Sequence, residues 1–318
     1  MFWAFVVFGV LMFLFRRSAA HILNNVFFRR KKKAMDDKFL VFHSKAFPGC
    51  DIRYVHRPGL NRHSALVFAV DSPHVLEHYL QNGVLDILSQ NRSVLVFEPP
   101  GCGYSSVPVS FSHSVGEHVL LWSEFLDSIN KEQQHVWISC IGCANAYVAL
   151  SMDSRFFRAF VVQQTPSLEE EKRWMQRVDF YGTLQTPILG QILNFLGCRW
   201  LAKTWFSVSM QRGELQKEFA SIADLHLQSG AMFPLASLFQ AFGSLAANEL
   251  RATSRPLLAL WSAHDRSHRK TQRSSSQSLT ANETAFRSEE MEAGHCGELD
   301  APHKFAEAVE RFLQSNSL

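Results

Sequence analysis

Cysteine is scarce, with six residues in 318. That is too few for a disulfide framework in a chain of this size, so a reduced environment is the simpler reading. Charged residues are also few, at 19% against 47% hydrophobic, which excludes a disordered or collagen-like chain and leaves a globular protein with or without a membrane segment. No H-E-x-x-H pattern and no paired Cys/His spacing announces a metal, and nothing in the sequence asks for a cofactor. No repeat of fixed period runs along the chain. Acids are missing from residues 1–33, which hold seven Lys/Arg, while the other 285 residues carry 25 bases against 29 acids. The body is therefore mildly acidic and has no nucleic-acid footprint.

The basic N-terminus is interleaved with apolar stretches. Residues 2–15 (FWAFVVFGVLMFLF) form a run of fourteen, followed by Arg16-Arg17, a second stretch with Ile22, Leu23, Val26, Phe27 and Phe28, and then Arg29-Arg30-Lys31-Lys32-Lys33. A cleaved signal peptide has its positive charge before the apolar run and a small-residue site after it, and neither is clear here. A spanning helix wants about 20 apolar residues. The expectation is a short membrane anchor or monotopic insertion over residues 1–33, drawn to anionic lipid by its basic cluster, with the body on the cytoplasmic face. The competing reading is an N-terminal helix buried against the body.

Short β-rich runs then alternate with helical patterns, which implies an α/β fold with a largely parallel sheet. KFLVFH (38–43) and DIRYVH (51–56) flank Pro48-Gly49 and read as an antiparallel hairpin. SALVFAV (64–70), SVLVFE (93–98), HVWIS (135–139), RAFVVQQ (158–164) and PLLALW (256–261) read as buried strands. Ser114 and Glu117 are spaced as a capping box ahead of Val115, Val119, Trp122, Leu126 and Ile129, one helical face. A last helix starts near Pro302 and carries Phe305, Val309, Phe312 and Leu313 on one stripe. The long interval 166–255 separates two consecutive strands and is rich in bulky apolar residues, as an inserted helical lid would be. The organisation expected is thus 34–165 and 256–318 as two parts of one core, with 166–255 between them. The Ser-rich segment 272–284 reads as an exposed loop.

HVWISCIGCANAYVAL (135–150) runs from an apolar strand through a small-residue turn into a helix. That is the layout of a nucleophile elbow, in which a reactive side chain sits on a tight turn between small neighbours. Aligning on Gly142 makes Cys140 the nucleophile; a register centred on Ile141, between Ser139 and Cys143, has small flanks but no nucleophile. Cys140 and Cys143 also spell C-x-x-C, a redox layout, and a cysteine here could simply fill core volume. Cys50, Cys102, Cys198 and Cys296 read as packing or surface thiols, and His63, His74 and His118 as surface or helix residues.

With these motifs the chain resembles the α/β-hydrolase superfamily over residues 38–318. FEPPGCGYSS (97–106) looks like the family's D-x-P-G-x-G-x-S turn with Glu98 in place of the usual acid. PLLALWSAHDRS (256–267) looks like the strand that ends in the catalytic acid, and EAGHCGELDAPHKFAEAVERFL (292–313) like the Gly-His motif before the last helix. The resemblance implies an α/β-hydrolase fold with Cys140 as nucleophile, Asp265 as acid and His295 as base, in the order expected of that fold. It also implies an oxyanion hole made by the N–H of Ile141 and a donor from the Val70-Asp71 turn, where the family carries His-Gly. The function expected is cleavage of a hydrophobic ester or thioester beside a membrane. The alternatives are acyl transfer through the same cysteine, or a silent hydrolase-fold protein that binds lipid or a protein partner.

Overall fold

The computed structural model describes residues 19–20, 22, 26, 38–59, 65–129, 135–139, 143–152, 154–246 and 250–317. The hairpin strands β1 (Leu40–His43) and β2 (Asp51–Arg57) pair antiparallel, with Leu40 opposite Tyr54. They lead into β3 (Leu66–Ala69), β4 (Val94–Phe97), β5 (His135–Ser139), β6 (Phe157–Gln163), β7 (Leu257–Ser262) and β8 (Phe286–Met291). The eight strands form one sheet in the order β1-β2-β4-β3-β5-β6-β7-β8. Every pair from β4 to β8 is parallel.

Side chains along β3 alternate between two cores. Leu66 and Phe68 pack with Val94, Val96, Phe305 and Val309 on one face; Val67 and Ala69 pack with Phe97, Trp122, Trp137 and Tyr147 on the other. A sheet covered on both faces needs apolar residues at every strand position, which is why these strands read as continuous runs. The covering elements are α1 (Leu76–Asn82), α2 (Val84–Ser89), α3 (Val115–Ile129), α4 (Cys143–Ser151), α9 (Gly297–Asp300) and α10 (Pro302–Ser315). Between β6 and β7 the chain runs through α5 (Leu168–Val178), α6 (Leu189–Ser209), α7 (Gly213–Gln228) and α8 (Leu235–Gly243).

Half of the capping box forms. Ser114 Oγ accepts the Glu117 N–H at 3.3 Å, but the Glu117 carboxylate accepts from the Ser112 N–H and hydroxyl, both at 2.6 Å, rather than reaching back to Ser114. The strand β8 carries no apolar run: FRSEEM pairs with β7 along one side only and lies at the sheet edge, where polar residues are tolerated. Just before it, segment 272–284 is not a plain exposed loop. It holds short 3-10 turns at Arg273–Leu279 and Glu283–Ala285, with Ser276 and Leu279 buried.

The turn after β4 is organised around a buried charge. Glu98 is 0% exposed. It receives the Arg53 Nε–H at 2.9 Å and Nη2–H at 2.5 Å, the Tyr104 N–H at 2.7 Å and the Leu76 N–H at 3.1 Å. Arg53 also donates twice to Glu77, at 2.9 and 2.7 Å. Burial works against the charge on Arg53, but Glu98 and Glu77 together hold its pKa above the usual value. Gly103 closes this turn at φ +54°, and a Cβ on it would lie 2.2 Å from the Glu98 carboxyl carbon.

Of the N-terminal segment 1–33, the described residues are 19–20, 22 and 26, so the expected anchor falls almost wholly outside the described structure. Among the described residues no helix is long and apolar enough to cross a membrane.

Candidate active site

Two loops at one edge of the sheet bring the expected acid and base together. The loop after β7 carries Asp265 and the loop after β8 carries His295, and they are tied by Ala263 N–H to Met291 O at 2.9 Å and His264 N–H to Ala293 O at 3.1 Å. Gly294 lets the second loop pass close to the end of α6, where a Cβ would lie 2.5 Å from Ser209 O. His295 Nδ1 is 2.7 Å from Asp265 Oδ2. An ionised carboxylate can only accept, so Nδ1 carries the proton, and Nε2 of a neutral ring is then the basic atom. That nitrogen is buried and has no hydrogen-bond partner among the described residues.

A second imidazole shares the same carboxylate oxygen. His268 Nδ1 is 3.1 Å from Asp265 Oδ2, while Oδ1 accepts from the N–H and hydroxyl of Ser267 at 2.8 and 2.7 Å. Burial alone would push the Asp265 carboxyl up, but the facing His295 and His268 rings hold it well below the usual carboxylate range. For His268, burial pulls the pKa down, while Asp265 and Glu171 outweigh it and raise it. Glu171 comes from α5, its Oε2 3.9 Å from His268 Nε2. The ring lies between Trp174, stacked at 4.9 Å, and His295, stacked at 5.0 Å.

His295 of the pair stands, with His268, on the wall of a cavity of about 950 Å³. Its lining is mostly apolar and comes from α5, α6 and α8, with Ala144 and Tyr147 of α4 and the Asp71-Ser72-Pro73 turn after β3 on the other side. Asp71 therefore faces the same space as His295. Burial, reinforced by the negative charges of Glu298 and Glu171, pushes its carboxyl well above the usual range. The two carboxyls are thus displaced in opposite directions, Asp71 upward by burial and like charge and Asp265 downward by its imidazoles.

Asp265 and His295 thus meet, while Cys140 and Ile141 lie outside the described residues. The expected role of Val70 as an oxyanion donor is corrected: its N–H is taken by Phe97 O at 2.8 Å, continuing the pairing of β3 with β4. Neither the Asp71 nor the Ser72 N–H donates to another described residue, which moves the available donors one or two positions along the turn. His118 is a helix residue, on the buried face of α3, whereas His74 is neither superficial nor helical: it is buried in the turn after β3, with Nε2 3.3 Å from Cys296 Sγ. His63 lies outside the described residues. Cys50, Cys102 and Cys296 are buried.

His268 and the Asp71 side chain are the residues sequence reasoning missed. The signal for His268 was its place three residues after the acid in HDRSH. Asp265, His268 and His295 also form the one cluster among the described residues whose donor atoms converge as metal ligands would. The separations of 2.7 and 3.1 Å from Nδ1 to the shared oxygen are hydrogen-bond lengths.

Solved structures share this architecture at low sequence identity. The Cif epoxide hydrolase from Acinetobacter nosocomialis superposes with a TM-score of 0.65 at 13% identity, covering 88% of this chain and 90% of its own. The enol-lactonase from Burkholderia xenovorans LB400 gives 0.61 at 13% identity, covering 85% of this chain and 98% of its own. No curated protein matches the sequence. The family model described as alpha/beta hydrolase fold matches residues 73–302, which begin at Pro73 after β3 and include all the helices between β6 and β7 and both loops of the Asp-His pair. The chain belongs to the alpha/beta hydrolase fold family.

Proposed function

We propose that this protein is a membrane-associated hydrolase that cleaves hydrophobic esters or thioesters through Cys140, His295 and Asp265. The observation that carries the reading is the 2.7 Å contact from Asp265 to His295 on the wall of a large apolar cavity, with His295 Nε2 unpaired. Cys140 follows β5 directly, and Ala144, four residues on, borders the same cavity.

In this reading His295 Nε2 takes the thiol proton as sulfur attacks the carbonyl carbon, and returns it to the departing alcohol or thiol. Asp265 fixes the ring and stabilises its cationic form. Water, activated by the same nitrogen, then splits the acyl-enzyme and restores the thiol. The oxyanion is held by the Ile141 N–H and by the Asp71 turn, where a neutral carboxyl is a donor and an ionised one would repel the developing charge. Residues 1–33 attach the enzyme to the cytoplasmic face of a membrane.

The test is acyl release from p-nitrophenyl esters and acyl-CoA of increasing chain length, with and without an alcohol acceptor, alongside thiol labelling at neutral pH. Expected are turnover that favours long chains and selective labelling of Cys140 that is lost in His295→Ala. Labelling no faster than at the partly exposed Cys198, with no turnover, overturns the reading; release that requires the alcohol reassigns it to acyl transfer.

A further inference from the structure

The first half of helix α6 is built with its polarity reversed. Its inner face holds Gln191 and Asn194, each 0% exposed. Gln191 Nε2 donates to Ser237 Oγ at 3.2 Å and Gln240 Oε1 at 2.9 Å, and Asn194 Oδ1 accepts the Ala236 N–H at 3.1 Å. Its outer face holds Leu189, Ile192, Leu193, Leu196 and Trp200, all exposed, with Leu196 at 75% and Trp200 at 68%. Spacings of three, four, seven and eleven residues put these five on one stripe. A helix whose hydrogen-bonding residues are inside and whose large apolar residues face out is shaped for an apolar medium on that side.

Two further observations say which medium. Leu193, Leu196 and Trp200 are at once surface residues and part of the cavity wall, so the cavity reaches the surface at this stripe. The exposed charged residues that line the same cavity are Arg177, Arg266, Arg269 and Lys270, all basic. The acids of the lining are set back from the surface: Glu171 and Asp179 are buried, and Asp71 lies in the turn after β3.

We propose that this face of α6 lies on an anionic lipid bilayer, the stripe entering the acyl region while the four cations meet headgroups, so that the cavity opens toward the membrane interior. A bilayer supplies both an anionic plane and an apolar layer beneath it, in the geometry of a greasy ridge bordered by cations. This contact is distinct from any made by residues 1–33. It does not depend on the catalytic triad.

Hydrogen exchange of the full chain tests it, with vesicles of phosphatidylcholine alone or mixed with phosphatidylserine. Residues 189–203 are expected to gain protection on the anionic vesicles, less on the neutral ones, and to lose it as salt rises. In co-sedimentation, L196D/W200D is expected to weaken vesicle binding by about tenfold or more, with an unchanged circular dichroism spectrum. Protection confined to the N-terminal peptides overturns the proposal, as does equal binding by the double variant. Protection of 189–203 that grows with protein concentration in the absence of lipid also overturns it, and would assign the stripe to a second copy of the chain.

Discussion

Glu98, beyond β4, and Asp265, beyond β7, are acids withdrawn from water at the same edge of the sheet, and both are saturated with donors. Around Glu98 the donors are an arginine fork and two backbone N–H groups, and the arginine's other side ends on Glu77. That circuit is closed. Around Asp265 two of the donors are imidazoles, and the far nitrogen of His295 has nothing to bond with among the described residues. A closed network fixes a loop, whereas an open one leaves a proton-accepting atom aimed at a cavity.

The sharpest way to break the comparison is to exchange charge for amide at each acid. Asp265→Asn is expected to lower kcat for ester cleavage by about 10³–10⁴-fold, because the amide can stabilise the wrong ring tautomer. Glu98→Gln is expected to leave the kcat of the folded fraction within a few-fold. Rates normalised to folded protein from circular dichroism decide between them; equal losses would erase the distinction.

Stability should show the reverse order. Glu98→Ala leaves Arg53 buried with half its partners gone and is expected to cost about 3–5 kcal/mol, read from denaturant midpoints. Gly103→Ala attacks the same circuit through the backbone, forcing a side chain into a left-handed conformation against the carboxylate, and is expected to cost about 1–3 kcal/mol.

The pH dependence sharpens it further. Asp265 has a lowered pKa in the folded state, so its contribution is present above the unfolded value of about 3.9 and is lost as pH falls through the folded one. His268 has a raised pKa, so its contribution is full below about 6.5 and is lost as pH rises through the raised value. His268→Gln is expected to flatten the alkaline side of the stability curve. The smallest effect belongs to Asp71: its raised pKa makes the folded state lose stability as pH rises from about 3.9 toward that value, so Asp71→Asn is expected to raise Tm slightly at pH 7.

How much of this was legible depended on whether the signal was local. Strands buried on both faces announce themselves as VLVF or LLALW, and α10 as a stripe behind Pro302. At an edge the same rule fails, so FRSEEM passed unnoticed. Asp265 and His295 were readable because each ends a recognisable motif, but that they share their oxygen with His268 depends on a loop doubling back by three residues. The loss of Val70 as a donor depends on the pairing of β3 with β4 continuing to Val70, the last residue of its apolar run. Nor could sequence reveal that the carboxyls of Asp71 and Asp265, nearly two hundred positions apart, are shifted in opposite directions by what surrounds them. Glu98 in place of the family's acid looked like a departure, and the fold shows it reaching Arg53.

The face-to-face placement of Trp174 on His268 gives the protein an optical gauge of its own. The indole N–H is also bound to Ser267 O at 3.1 Å, so the ring is held against the imidazole by both its face and its edge. A protonated imidazole quenches a stacked indole and a neutral one does so weakly. The emission of Trp174 is therefore expected to brighten as His268 gives up its proton, a change read as the difference between fluorescence titrations of the parent and Trp174→Phe, without any added dye.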